Sequence, residues 1–144
     1  MKIIYIKLFL RVSIAVGFIS AVADRLGFWP KEKAAWGTWD SFLEYTELLN
    51  PWAPEFMINS LGIAATLLEI LLAVFLLLGF KTSLSAQASG ILLLIFGIAM
   101  VTVLGIKAPL DYSVFATSAA AFGLSLIGEQ YLEIDQLLSK SDAT

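Results

Sequence analysis

The sequence predicts an all-α integral membrane protein: a four-transmembrane-helix antiparallel bundle with a short amphipathic helix in its long first external loop. Composition is the first reason. Of 144 residues, 59% are hydrophobic and only 15% are charged, whereas soluble domains carry about 25% charged residues. The second reason is that four apolar segments reach or approach the roughly 20 residues that a spanning helix needs. We expect a single membrane domain over residues 1–144.

Turn residues set the expected limits of these segments. The predicted spans cover about residues 8–26, 56–80, 84–106 and 112–127. Gly79 is expected to end the second span and Ser83 to cap the third, so that the two form a tight hairpin. Pro109 is expected to break the helix after the third span, and Asp111 to cap the fourth. Four spans place both termini on one side of the membrane.

The first external loop contains all four tryptophans of the chain. Within it, residues 38–49 place Trp39 and Phe42 on one helical face and acidic residues opposite, which predicts an amphipathic helix at the membrane interface. Tryptophans at an interface are typical anchors; the alternative is a lid over the mouth of a cavity. Residues 129–144 are expected to form a C-terminal tail.

Each predicted span also carries a stripe of small residues, and such stripes allow helices to approach closely inside lipid. We expect the four stripes to face one another, which turns Asp24 and Glu69 inward. The stripes are Ser13, Gly17, Ser20 or Ala21, and Asp24; Gly62, Ala65, Thr66, Glu69 and Ala73; Ala86, Gly90 and Gly97; and Ala116, Ala119, Ala120 and Gly123.

Glu69 lies within the apolar run 63–80. Ionisable residues inside a membrane are functional by default, and the alternative is a structural ion pair between two helices. Arg11 is the obvious partner, although the two differ in depth by about two helical turns and Arg11 is long enough to reach the headgroups instead. The candidate buried polar or ligand site consists of Glu69, Arg11, Asp24 and Thr66.

Asp24 is a candidate because an acid at the carboxyl end of a helix opposes the helix dipole. It falls on the small inward stripe, whereas Arg25 does not. A polar vestibule above Glu69 is a further hypothesis, although helix capping alone explains its two charged members. The candidate vestibule residues are Lys107, Asp111, Trp39 and Trp52.

The composition excludes several kinds of chemistry. The chain has no Cys and no His, so disulfides, thiol catalysis, the usual zinc sites, iron–sulfur clusters and His-ligated haem are not expected. We predict no metal site, and no cofactor is evident. A net charge of −3 without a basic cluster argues against binding of nucleic acid.

Three stretches, "LRVSIAVGFISAVADRLGFW", "EILLAVFLLLGFKTSLSAQASGILLL" and "LGIKAPLDYSVF", resemble the DoxX-like family of small bacterial membrane proteins, over roughly residues 8–127. The family's first-helix arginine corresponds to Arg11, its second-helix acid to Glu69, and the glycine before a basic loop to Gly79 with Lys81. The chain departs from the family where many members have a lysine, since "ADR" stands there, and it lacks the histidine found late in the third helix of some members.

The resemblance implies a bacterial inner-membrane protein with a link to quinones, because the family name derives from the small subunit of a thiosulfate:quinone oxidoreductase. It allows a quinone as ligand and a redox enzyme as partner, besides the lipid bilayer. Self-association into a homo-oligomer stays open. A slight excess of basic residues on the side of the termini favours cytoplasmic termini.

Three functions follow as hypotheses. The first is a membrane subunit that helps a quinone-linked oxidoreductase through its buried polar site. The second is a structural or assembly protein whose buried ion pair fixes the register of two helices. The third is a small transporter or channel, against which the spans lack broken helices and repeat symmetry.

Overall fold

The structure is a computed structural model that describes residues 2–136. Within this range the chain forms six α-helices and no strand, so the predicted all-helical class is confirmed. The helices are α1 (Ile3–Arg25), α2 (Trp39–Leu49), α3 (Glu55–Leu78), α4 (Thr82–Leu104), α5 (Lys107–Asp111) and α6 (Val114–Ser125). Three of them, α1, α3 and α4, are long and apolar enough to cross a membrane, as expected of a multi-pass membrane protein.

The helices α1, α3, α4 and α6 pack in a ring, each against the next, and α6 closes the ring against α1. The core between α1 and α3 is built around Phe18, Leu72 and Leu76. We call the end where α1 finishes and α3 begins the loop end, and the end where α1 begins and α3 finishes the termini end. The helix α2 lies at the loop end, against α3, α4 and α1.

The limits of α1 and α3 illustrate what decides a helix end here. The helix α3 ends at Gly79, which adopts the left-handed conformation with φ of 65°, as glycine does at helix ends. The helix α1 begins at Ile3, not near Leu8 as predicted. The prediction began the apolar span after Lys7, but both Lys7 and Arg11 are buried and paired inside the protein, so the helix extends through them.

Both predicted caps were wrong. Ser83 lies inside α4 and donates its hydroxyl to the Ser125 carbonyl at 2.8 Å; the carboxylate of Asp135 instead accepts hydrogen bonds from the amides of Lys81 and Thr82 at 2.6 and 2.8 Å. Asp111 ends the short helix α5, where it pairs with Lys107.

Pro109 does not break a helix either. It lies in the first turn of α5, where a proline's missing amide hydrogen costs nothing.

The small-residue stripes face inward in α3 and α4 but not in α1 and α6. Ser13 and Gly17 of α1 are exposed, as are Ala116, Ala119 and Gly123 of α6. In α1 the buried face instead carries Arg11, Ile14, Ala15, Phe18, Val22 and Arg25. In α6 the reason is complementarity of size: Phe115 and Phe122 occupy the space above Gly97 and Gly90 of α4, so the glycines of one helix receive the rings of the other.

We predict that Gly97→Ala destabilises the bundle by about 1–3 kcal/mol, the usual cost of overpacking. A Cβ at this position would stand 2.7 Å from the Phe115 ring. Gly17→Ala is the matched control, because no atom lies within 4 Å of a Cβ there, and it should leave stability unchanged or raise it slightly. Thermal unfolding in one detergent measures both; equal effects would contradict this packing.

Candidate functional site

A buried cluster of Arg25, Glu69 and Thr66 lies between α1 and α3. The Arg25 Nη2 and Glu69 Oε2 atoms are 2.8 Å apart, with both side chains at most 4% exposed. Arg25 Nη1 donates to the Thr66 hydroxyl at 2.9 Å, and Arg25 Nε donates to the Ala21 carbonyl at 3.2 Å. The Thr66 hydroxyl donates in turn to the Gly62 carbonyl at 2.8 Å. The guanidinium and the carboxylate therefore neutralise each other inside the protein.

Aromatic rings cover this cluster at the loop end. The Arg25 Cζ atom lies 4.0 Å from the centre of the Phe42 ring and 5.3 Å from that of Trp36, within the range of cation–π attraction. The rings of Phe42 and Trp36 also pack edge to face, with centres 5.3 Å apart. We call Trp36 and Phe42, with α2, the aromatic cover. Burial raises the pKa of the Tyr45 phenol, whose ring packs beside Trp36.

Gly62 allows the aromatic cover to lie directly on α3. A Cβ at this position would stand 2.8 Å from Leu43 Cδ2 and 3.2 Å from Phe42 Cε1. Contacts this short require the absence of a side chain. The small residue one turn before Thr66 thus sets the distance between α2 and α3.

The cation that pairs with Glu69 is Arg25 and not Arg11. The prediction that Arg25 points away from the inward face was wrong: Arg25 is 2% exposed. A sequence signal for this exists, because Arg11, Phe18 and Arg25 recur every seven residues, and seven residues make about two helical turns. The small-residue stripe drew attention to the wrong side of α1.

Asp24 is buried, as predicted, but its carboxylate binds the loop. Its two oxygens accept hydrogen bonds from the amides of Ala35 at 2.7 Å and of Trp36 and Gly37 at 2.9 Å. These bonds hold the segment that carries Trp36 over Arg25. Asp24 therefore positions the aromatic cover.

Arg11 is engaged at the termini end. It donates to the carbonyls of Leu76 and Leu77 at the end of α3, at 2.8 and 3.0 Å, and to those of Tyr131 and Leu132 at 3.0 and 3.1 Å. Leu76 lies seven residues beyond Glu69, about 10 Å along the helix. This separation in depth explains why Arg11 does not pair with Glu69.

Sequence reasoning missed the partners of Arg11. Glu133 is 5% exposed, and its Oε1 atom lies 2.9 Å from Lys7 Nζ and 3.5 Å from Arg11 Nη1. Residues 129–136 were predicted as part of a tail, while 137–144 of that tail lie outside the described residues. The available signal was the acidic character of Glu129, Glu133 and Asp135, opposite the basic start of α1.

The four candidate vestibule residues have different partners. Lys107 and Asp111 form an exposed ion pair within one turn of α5. Trp39 donates its indole N–H to Asn59 at 3.3 Å, and Trp52 is 69% exposed. Capping and interface anchoring describe these positions well.

Two surface cavities are present, and neither is lined by Arg25 or Glu69. One, of about 290 Å³, lies between α2 and the start of α3 and has an acidic rim. The other, of about 320 Å³, is apolar and runs along α1 under Trp29. Among residues 2–136, no cluster of three or more Asp or Glu side chains is arranged to hold a metal ion.

Comparison with protein-family models, with curated proteins and with solved structures found no match to this chain. The chemical capacity of the site therefore has to be judged on geometry. The cluster offers N–H donors on Arg25, a hydroxyl on Thr66 and a carboxylate on Glu69, and the chain's own groups already occupy them.

We predict that Glu69→Gln costs about 3–5 kcal/mol of stability, because it leaves the Arg25 guanidinium buried without its counter-ion. Replacing both residues with methionine should recover most of this loss, since an apolar pair of similar volume often substitutes for a buried ion pair. Unfolding of the two single variants and the double variant in detergent gives the coupling energy. Additive losses would contradict a direct interaction.

We predict that Asp24→Asn loosens residues 31–37 while leaving the helices in place. Asparagine has one acceptor oxygen in place of two and lacks the charge that strengthens bonds to the three amides. Tryptic cleavage after Lys31 and Lys33 should accelerate severalfold. Asp111→Asn, which removes an exposed acid, is the control and should cleave at the unmodified rate; equal acceleration in both would contradict the role of Asp24.

Proposed function

We propose that this chain is a multi-pass accessory subunit of the bacterial inner membrane that works by association with a partner protein. The observation that carries this proposal is the filling of the polar site by the chain itself. Arg25, Glu69 and Thr66 satisfy one another, and the aromatic cover lies on the guanidinium. Such a cluster fixes the register of α1 and α3 and the position of α2, which suits a protein that presents a defined shape to a partner.

The resemblance to the DoxX-like family supplies the class of partner, a quinone-linked oxidoreductase. Under this proposal the oxidoreductase carries the electron-transfer centre, and the present chain contributes a membrane domain with cytoplasmic termini. The large apolar side chains on the outside of α1, α3 and α4 are then shared between lipid and partner.

A second candidate is a binding site for a quinone beneath the aromatic cover. The observation that favours it is the stacking of Phe42 on Arg25 at 4.0 Å. A quinone ring could take the place of Phe42 on the guanidinium, with a carbonyl oxygen accepting a hydrogen bond from Thr66 or Arg25. Movement of α2 away from α3 would be required first.

One purification separates the two candidates. Tagged protein is extracted in mild detergent from membranes of its source organism, and mass spectrometry identifies bound lipophilic molecules and co-purifying proteins. The accessory role predicts a stoichiometric oxidoreductase subunit with wild-type protein and with the Arg25→Met/Glu69→Met variant. Quinone binding predicts a quinone that falls about tenfold in that variant, since the variant removes the charged donors and acceptor.

Wild-type protein that elutes with neither partner nor quinone would contradict both candidates. Gly62→Leu serves as a further control. Its side chain would push Leu43 and Phe42 away, so it displaces the aromatic cover while keeping the Arg25–Glu69 pair, and it should lower quinone content without affecting an interface formed on the outside of the bundle.

A further inference from the structure

The helix α6 is too short to cross a membrane. Its 12 residues span about 18 Å, against a hydrocarbon core of about 30 Å. After Ser125 the chain is non-helical as far as Glu133. We call residues 126–136 the strap. Non-helical backbone at membrane depth is tolerated only where the protein itself supplies hydrogen-bond partners.

The side chains of α1 supply those partners. The Arg11 guanidinium donates to the carbonyls of Tyr131 and Leu132 at 3.0 and 3.1 Å, and Lys7 donates to the Glu129 carbonyl at 2.7 Å. Glu133 lies between the two cations and offsets their charge. Arg11 is 1% exposed, so its charge also depends on the strap.

The turn between α3 and α4 anchors the other side of the strap. The Asp135 amide donates to the Gly79 carbonyl at 3.1 Å, and the Asp135 carboxylate caps the start of α4. At Gly79 a Cβ would stand 2.6 Å from both Arg11 Nη2 and Glu133 Cα. The glycine thus brings the strap, Arg11 and the end of α3 into direct contact.

We propose that this clasp completes the fourth membrane crossing, so that Arg11 decides on which side of the membrane the C-terminus stands. With the clasp, α6 and the strap together reach the termini end. Without Arg11, the strap carbonyls lose their donors inside the apolar layer, and the C-terminus stays on the side of the loop end. This inference does not depend on the proposed function.

The absence of cysteine from the sequence makes the experiment direct. A single cysteine is appended after Thr144, and in a separate variant Lys2→Cys marks the N-terminus. Chains are synthesised without cells into sealed vesicles and labelled at once with a membrane-impermeant maleimide, before and after the vesicles are opened. Labelling of nascent chains reports topology even for variants that are unstable later.

In wild-type protein we expect the two cysteines to be labelled from the same side. In Arg11→Leu the fraction of C-terminal cysteine on the opposite side should rise about tenfold or more, because the carbonyls of the strap are left unsatisfied in lipid. Arg11→Lys keeps the charge with three donors in place of five and should fall between the two.

Arg25→Leu is the matched control, since it removes the other buried arginine of α1 without touching the strap. It should leave both termini on one side. An unchanged C-terminal side in Arg11→Leu would overturn the proposal, and so would an equal change in Arg25→Leu, which would indicate a general failure of insertion. Opposite labelling of the two termini in wild-type protein would also overturn it.

Discussion

A guanidinium group cannot be left unpaired inside an apolar bundle, and α1 buries two of them. An isolated charge in such surroundings costs several kcal/mol even after relaxation, which is comparable to the whole stability of a typical domain. Each arginine has therefore drawn part of the fold around itself. Arg25 is met by Glu69, Thr66 and two aromatic rings, and Arg11 by four carbonyls and a carboxylate.

The two arginines also settle the rotation of α1. Small residues at Ser13 and Gly17 would favour one inward face through close packing, at a gain of small dispersion terms for each contact. The buried face actually chosen carries Arg11, Phe18 and Arg25, because satisfying two charges outweighs those terms. Ser13 and Gly17 are left on the outside. The bundle thus follows its ion pairs first and its small residues second.

Much of the fold was predictable from periodicity and composition. The helical class, the long apolar helices, the end of α3 at Gly79 and the burial of Glu69 all follow from local patterns. The partner of Glu69 was not predicted, because two cations lay on one helix and the choice depends on how far each reaches along α3. The role of Glu133 was not predicted either, since it lies 122 residues from Arg11 and nothing local indicates that contact.

The distribution of aromatic side chains gives the molecule two optically distinct ends. All four tryptophans lie between residues 29 and 52, around the loop end, whereas Tyr5 and Tyr131 pack together at the termini end with ring centres 6.1 Å apart. Indole emission therefore reports on the surroundings of Arg25 and is nearly blind to those of Arg11. A loss of the clasp at one end and an opening of the cover at the other would be distinguishable spectroscopically without any added label.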